Sequence, residues 1–159
     1  MVIKLSNGKP SSEAAIRKLE ARLGYDLSAP VRAFIRENNG AEPEANKFRI
    51  DEKNQSAVRK FIPVEEISEE CLGIENLPSK AYPIAWDSFG NYVLVDEGRD
   101  GKIYFWDHEQ PDRLAEIAHD FGRFLYMLEP FDANSIQLKP GQVKSVWIDP
   151  DFMKSLKKR

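Results

Sequence analysis

Residues 84–107 read IAWDSFGNYVLVDEGRDGKIYFWD, with Trp-Asp at Trp86-Asp87 and again at Trp106-Asp107. Three apolar runs are separated by Asp-Ser-Phe-Gly-Asn and Glu-Gly-Arg-Asp-Gly, both rich in turn formers, so the stretch predicts an antiparallel three-strand meander. If each loop closes a regular hairpin, Trp86 faces Tyr92, Tyr92 faces Trp106, and Asp96 faces Lys102. The next row on that aromatic face is Ile84, Leu94 and Tyr104. The opposite face carries Ala85, Val93 and Phe105, then Pro83, Val95 and Ile103. The Trp-Asp echo follows from two similar loops returning the chain to one level of a sheet. Propeller repeats would need about twice the spacing and many copies.

A sheet apolar on both faces needs cover on both, or leaves one face for a partner. Downstream, PDRLAEIAHDFGRFLYMLEP places Leu114, Ile117, Ala118, Phe121, Leu125 and Leu128 on one stripe, which predicts a long helix over about 112–128 ended by Pro130. It would cover the aliphatic face. Upstream, Ser11 or Ser12 caps a helix carrying Ile16, Leu19 and Leu23 and ended by Gly24. Ser28 and Pro30 open a second helix with Val31, Phe34 and Ile35, closed by Asn38-Asn39-Gly40. These two are expected to cover the aromatic face. NKFRI at 46–50 alternates as a strand, whereas PVEEISEECLG gives no firm assignment. SVWI at 145–148 reads as a last strand, and Asp149-Pro150 opens a terminal helix bearing Lys154, Lys157, Lys158 and Arg159. The expected fold is α+β, with a curved, mostly antiparallel sheet around the meander, as one domain over 1–159 without repeat or linker.

Composition narrows the function classes. The chain has 159 residues, net charge -3 and 31% charged residues. A general nucleic-acid binder would carry a basic balance, so no direct nucleic-acid partner is expected. One cysteine, Cys71, excludes an internal disulfide and fits a reducing compartment. The amino terminus lacks the apolar run of an export signal, and no segment has the length of a membrane span. A complete cytoplasmic protein without a membrane partner is the expectation.

Chemistry-bearing patterns are sparse. Asp107-His108-Glu109 sets an imidazole between carboxylates, but neighbours in an extended segment point to opposite sides and do not converge on an ion. His119-Asp120 lacks the spacing of a two-histidine metal helix, and Cys71 has no adjacent base. Gly90, Gly98 and Gly101 belong to hairpin turns rather than to a phosphate-cradling loop. No catalytic residue, metal or cofactor is expected. Acidic residues are more suggestive: Glu42 and Glu44 follow the second helix, and Asp96, Glu97 and Asp100 cluster at one hairpin tip.

Taken together, LGYDLSAPVRAFIRENNG, YPIAWDSFGNYVLVD, GKIYFWDHE and IAHDFGRFLYML, in this order over about residues 12–128, resemble the SUKH superfamily, in its Smi/Knr-like branch. The matching positions are Asn39, Gly40, Trp86, Gly90, Asn91, Gly101, Trp106, Asp107, His108 and Phe121. The resemblance implies a non-enzymatic α+β domain. Bacterial members are mostly immunity proteins of polymorphic-toxin and contact-dependent inhibition systems, which bind and block a cognate toxin domain, and fungal relatives regulate cell-wall synthesis. On that basis Glu42, Glu44, Asp96, Glu97, Asp100 and Asp107 are candidate contacts, with Trp86 and Trp106 as aromatic anchors. A regulatory scaffold is one alternative. A hydrolase using His108 with Asp107 or Glu109 is the other.

Overall fold

A strand opens the chain: β1 (Ile3–Ser6) pairs antiparallel with β2 (Glu42–Pro43) on one side and β10 (Ser145–Trp147) on the other. The computed structural model describes residues 3–130 and the backbone of Ser145–Trp147. The expected basic terminal helix lies outside these residues.

Between β1 and β2 stand both predicted helices, α1 (Glu13–Leu23) and α2 (Ala29–Asn38). Ser12 caps α1 by accepting from the Ala15 N–H at 3.1 Å, and Gly24 ends it at φ 86°. That left-handed conformation suits glycine, which has no Cβ to clash. After α2, Asn39 turns the chain and spans to the next helix: its side-chain oxygen accepts from the Val64 N–H at 2.8 Å. It thereby satisfies an orphan donor at the start of α3 (Val64–Glu70). The segment that gave no firm assignment is therefore helical, closed by a 3-10 turn at Cys71–Gly73.

The main sheet runs in the order β5-β6-β7-β8-β9, all antiparallel: β5 (Lys60–Phe61), β6 (Ala81–Trp86), β7 (Tyr92–Asp96), β8 (Lys102–Trp106) and β9 (Leu114–Ala118). A small hairpin of β3 (Lys47–Arg49) and β4 (Gln55–Ala57) stands beside it. The α+β class and the meander agree with expectation, including the pairs Trp86 with Tyr92, Tyr92 with Trp106, and Asp96 with Lys102.

The inner half of the first hairpin departs from the regular register. A bulge between Pro83 and Ala85 sets Pro83 opposite Leu94 and Tyr82 opposite Val95. Pro83 has no N–H to give to a ladder, and prolines inside sheets gather at such irregularities. Ile84 is the extra residue. Its carbonyl accepts from Ile62 N at 2.9 Å, and its side chain is buried with Val93, Val95, Ile103 and Phe105. Ile84 therefore belongs to the aliphatic side, not to the row with Leu94 and Tyr104.

The helix expected over 112–128 does not form. Leu114–Ala118 is strand β9, and α4 spans only Phe121–Met127. The pairing of β9 satisfies the outer edge of β8, a demand that outweighs the helical preference of Leu-Ala-Glu-Ile-Ala. Asp120, extended at φ -158°, breaks the run and accepts from Arg123 N at 2.7 Å as the cap of α4.

The distribution of cover also differs from expectation. Buried side chains of α1 and α2 (Ile16, Leu19, Val31, Phe34, Ile35) and of α4 (Phe121, Phe124, Leu125) all pack with the aliphatic face. Phe34 meets Phe61 and Phe121 edge-on at 4.7 and 5.2 Å, and Phe48 of β3 meets Phe124 at 5.6 Å. On the other face Leu94, Tyr104 and Trp106 form a smaller cluster with Ile74 and Leu77, which follow α3. The opening helices carry purely apolar stripes, and these fit the compact aliphatic face. The aromatic row has polar tips that need partners, and α3 supplies one.

Candidate functional site

At the Trp86 end of the sheet, the β6–β7 turn, the β3–β4 hairpin and the segment after β8 enclose a cleft of about 290 Å³. Asp51, Asp87, Asp107 and Arg113 supply its charges, and Phe89, Asn91, Gln55 and Gln110 line it too.

The turn is built around Asp87, only 3% exposed. One of its carboxylate oxygens accepts from the N–H groups of Phe89 and Asn91, both at 2.8 Å. The other accepts from Ser56 Oγ at 3.0 Å and Asn91 Nδ2 at 2.9 Å. A buried carboxylate with four donors is a scaffold rather than an available base. Gly90, at φ 86°, completes the turn, and a Cβ placed there would lie 3.6 Å from His108 Nδ1. The turn thereby holds Phe89 outward with 74% of its surface exposed.

Asn91 links this turn to the segment after β8. Its Oδ1 accepts from the His108 N–H at 3.1 Å and lies 2.7 Å from His108 Nδ1. Asp107 lines the cleft, and among the described residues its side chain accepts from Glu109 N alone, at 2.8 Å, through Oδ1. Its Oδ1 is 3.9 Å from His108 Nδ1, beyond hydrogen-bond reach, so the Asp-His-Glu triplet does not assemble as a catalytic pair. Across the cleft, Asp51 accepts from the Asn54 side chain and the N–H groups of Lys53 and Asn54. These bonds, the Asn54 amide first, hold its carboxyl below the usual aspartate range. Among the described residues, no group of three or more histidine, cysteine, aspartate or glutamate side chains is placed to hold a metal ion.

The structure disperses the residues singled out from the sequence. Only Asp107 lines the cleft. Trp86 stands near by: its Nε1 donates to Glu70 of α3 at 3.1 Å, and the Arg59 guanidinium lies 5.4 Å from its ring centre. Tyr92 donates to the same Glu70 oxygen. Burial, followed by that carboxylate, pushes the Tyr92 phenol up to about 12. Trp106 is 4% exposed, with its Nε1 buried and without a partner among the described residues, so it offers no ring to a partner.

At the other end of the sheet, Asp96 is 2% exposed and caps its own tip by accepting from Gly98 N at 2.9 Å. Glu97 turns inward, and only Asp100, at φ 58°, is an exposed carboxylate there. Glu42 accepts from the Asn7 side chain, and Glu44 carries a buried Oε2 without a partner among the described residues. The acidic tip is thus mostly a fastening between sheet and helices. Sequence reading treated Asp87 and Phe89 as ordinary turn residues and gave Asp51 no role. The signal for the first was an aspartate four residues before an asparagine across a glycine, a pattern in which one carboxylate ties a turn shut.

Comparison with known proteins adds two findings. A prophage-derived uncharacterized protein of Bacillus subtilis (strain 168), YokK, is 25% identical to this chain, covering 88% of it and 85% of the relative. The sequence model of the SMI1 / KNR4 family (SUKH-1) matches residues 10–127, from the entry to α1 to the last residue of α4, and the chain belongs to that family.

Proposed function

We propose that this protein is a cytoplasmic immunity protein that binds a cognate toxin domain and occludes it, without making or breaking a bond. The reading rests on family membership over 10–127. The turn at 87–91 supports a location for the contact, because it carries a large apolar side chain at 74% exposure beside an acidic cleft. An exposed aromatic held by a satisfied internal network is suited to act as an interface anchor, because little conformational freedom is lost on binding. In this reading Asp107 and Phe89 make central contacts, Trp86 borders them, and Asp100 and Glu42 lie outside. No described helix is long and apolar enough to cross a membrane.

The test is co-expression with the product of each gene adjacent to the one that encodes this chain, with toxicity as the readout. The expected result is a one-to-one complex and loss of toxicity in proportion to complex formed. Absence of a complex, or substrate turnover by the purified chain that disappears in His108→Ala, would overturn the reading.

A further inference from the structure

Asn91 can be oriented in only one way. Its amide nitrogen must face Asp87, because an ionised carboxylate only accepts, and its oxygen must face the backbone N–H of His108. His108 Nδ1, 2.7 Å from that oxygen, is therefore the protonated nitrogen. In the neutral ring this leaves Nε2 as an acceptor. The adjacent Asp107 has a carboxylate oxygen, Oδ2, without a donor among the described residues, as its one bond is made through Oδ1. Among the described residues, the cleft carries three carboxylates against the one guanidinium of Arg113.

We infer that this cleft receives an arginine side chain of a protein partner, with Asp107 and Asp51 accepting from its guanidinium, Phe89 stacking on its plane, and His108 Nε2 offered as a further acceptor at the rim. The inference rests on the protein-binding reading above and names the chemistry of the contact. Charge selects a cation, since an anionic group would meet three carboxylates. The exposed phenyl ring selects a planar cation: a guanidinium stacks on an aromatic face while its edge donors reach carboxylates, whereas an ammonium is a compact, strongly hydrated point charge. Asp87 takes no part in the contact, because each of its oxygens already accepts from two donors, whereas among the described residues Asp51 Oδ2 accepts from the Asn54 side chain alone.

The inference is tested on the full chain by NMR, with the blocked peptide acetyl-Gly-Arg-Gly-amide as probe. Peptides with citrulline, a neutral isostere, or lysine in place of arginine are the comparison. At about 10 mM, in the range where one charge-assisted contact is detectable, the arginine peptide is expected to move the amide resonances of Phe89, Asn91 and His108. The citrulline peptide should leave them in place, the lysine peptide should move them less, and Asp107→Asn should reduce the arginine response at least several-fold. A second readout needs no variant: nitrogen shifts of His108 in the neutral ring should report a protonated Nδ1 and a bare Nε2. Equal responses to citrulline or lysine, no movement with arginine, or a protonated Nε2 would each overturn the inference. A toxin that binds while arginine peptides do not would sink the arginine contact and leave immunity standing. A chain that answers arginine peptides but binds no toxin would sink immunity alone.

Discussion

Glu97 Oε1 accepts from the backbone N–H of Ser28 at 2.9 Å, a bond between the tip of the β7–β8 hairpin and the start of α2, 69 residues apart in the chain. The same oxygen accepts from the hydroxyl of fully buried Tyr82 at 2.7 Å. One carboxylate thus fastens helix, sheet and tip together. Burial, and then the Glu97 charge, push the Tyr82 phenol well above its ordinary range, so its hydroxyl stays a donor at neutral pH. Glu97→Ala is expected to leave the Tyr82 hydroxyl and the Ser28 N–H without partners, at a cost of about 2 to 4 kcal/mol for two donors. Urea denaturation should show a lower midpoint with an unchanged slope. A loss below about 0.5 kcal/mol would remove the fastening role.

Glu20 supplies a second fastening, with a dependence on pH. It is 7% exposed, pairs with Arg32 at 2.7 Å and accepts from Leu27 N at 2.8 Å. The Arg32 hydrogen bond, chiefly, holds its carboxyl below the usual glutamate range, against the opposing effect of burial. A depressed carboxyl means that the unfolded chain binds more protons than the folded one as pH falls. Its contribution is therefore complete above the ordinary glutamate range and lost as pH drops through the depressed folded value. Glu20→Gln should lower stability at neutral pH and flatten the acid limb of a stability-versus-pH curve measured by thermal denaturation.

Asp87 should matter for both stability and shape. Asp87→Ala removes the acceptor of two turn N–H groups, the Ser56 hydroxyl and the Asn91 amide. A cost of about 2 to 3 kcal/mol follows from the loss of hydrogen bonds to a charged group. The amide resonances of Phe89, Asn91 and His108 should shift together, because the Asn91 side chain transmits the change.

Phe89 should behave in the opposite way. At 74% exposure it buries little on folding, so Phe89→Ala should leave the urea midpoint within about 0.5 kcal/mol of the parent. Binding should nevertheless weaken by about 2 kcal/mol, close to thirtyfold, as expected for truncation of an aromatic anchor. Titration calorimetry of the toxin complex measures it. Unchanged affinity would move the interface away from this turn.

How much of this was legible in the sequence depended on whether a feature was local. The cross-strand pairs among Trp86, Tyr92 and Trp106 were readable because two short loops fix them. Both opening helices were readable from their apolar spacing, and Ser12 and Gly24 marked the ends of the first. The stretch at 112–128 misled because its apolar residues fit a helical period, while the open edge of β8, invisible in a linear pattern, drew Leu114–Ala118 into a strand. Asp120 three residues before Arg123 was the available cue for a break. The cleft was not legible: Asp51, Asp87 and Asp107 come from three separate segments, and adjacency of charges at 96, 97 and 100 was the more conspicuous but weaker signal.

The extra residue at Ile84 separates two halves of the hairpin that have different duties. On one side of it Tyr82 lies opposite Val95, toward the end that Glu97 locks to the helices, and on the other Trp86 lies opposite Tyr92, toward the end that carries the cleft. A strand interrupted in this way works as a slip joint, in which length or bulk altered at the distal loop is taken up locally and is not passed on as a misaligned core. The exposed side chains at 88 and 89 are therefore free to change without realigning the half of the sheet that Glu97 fastens.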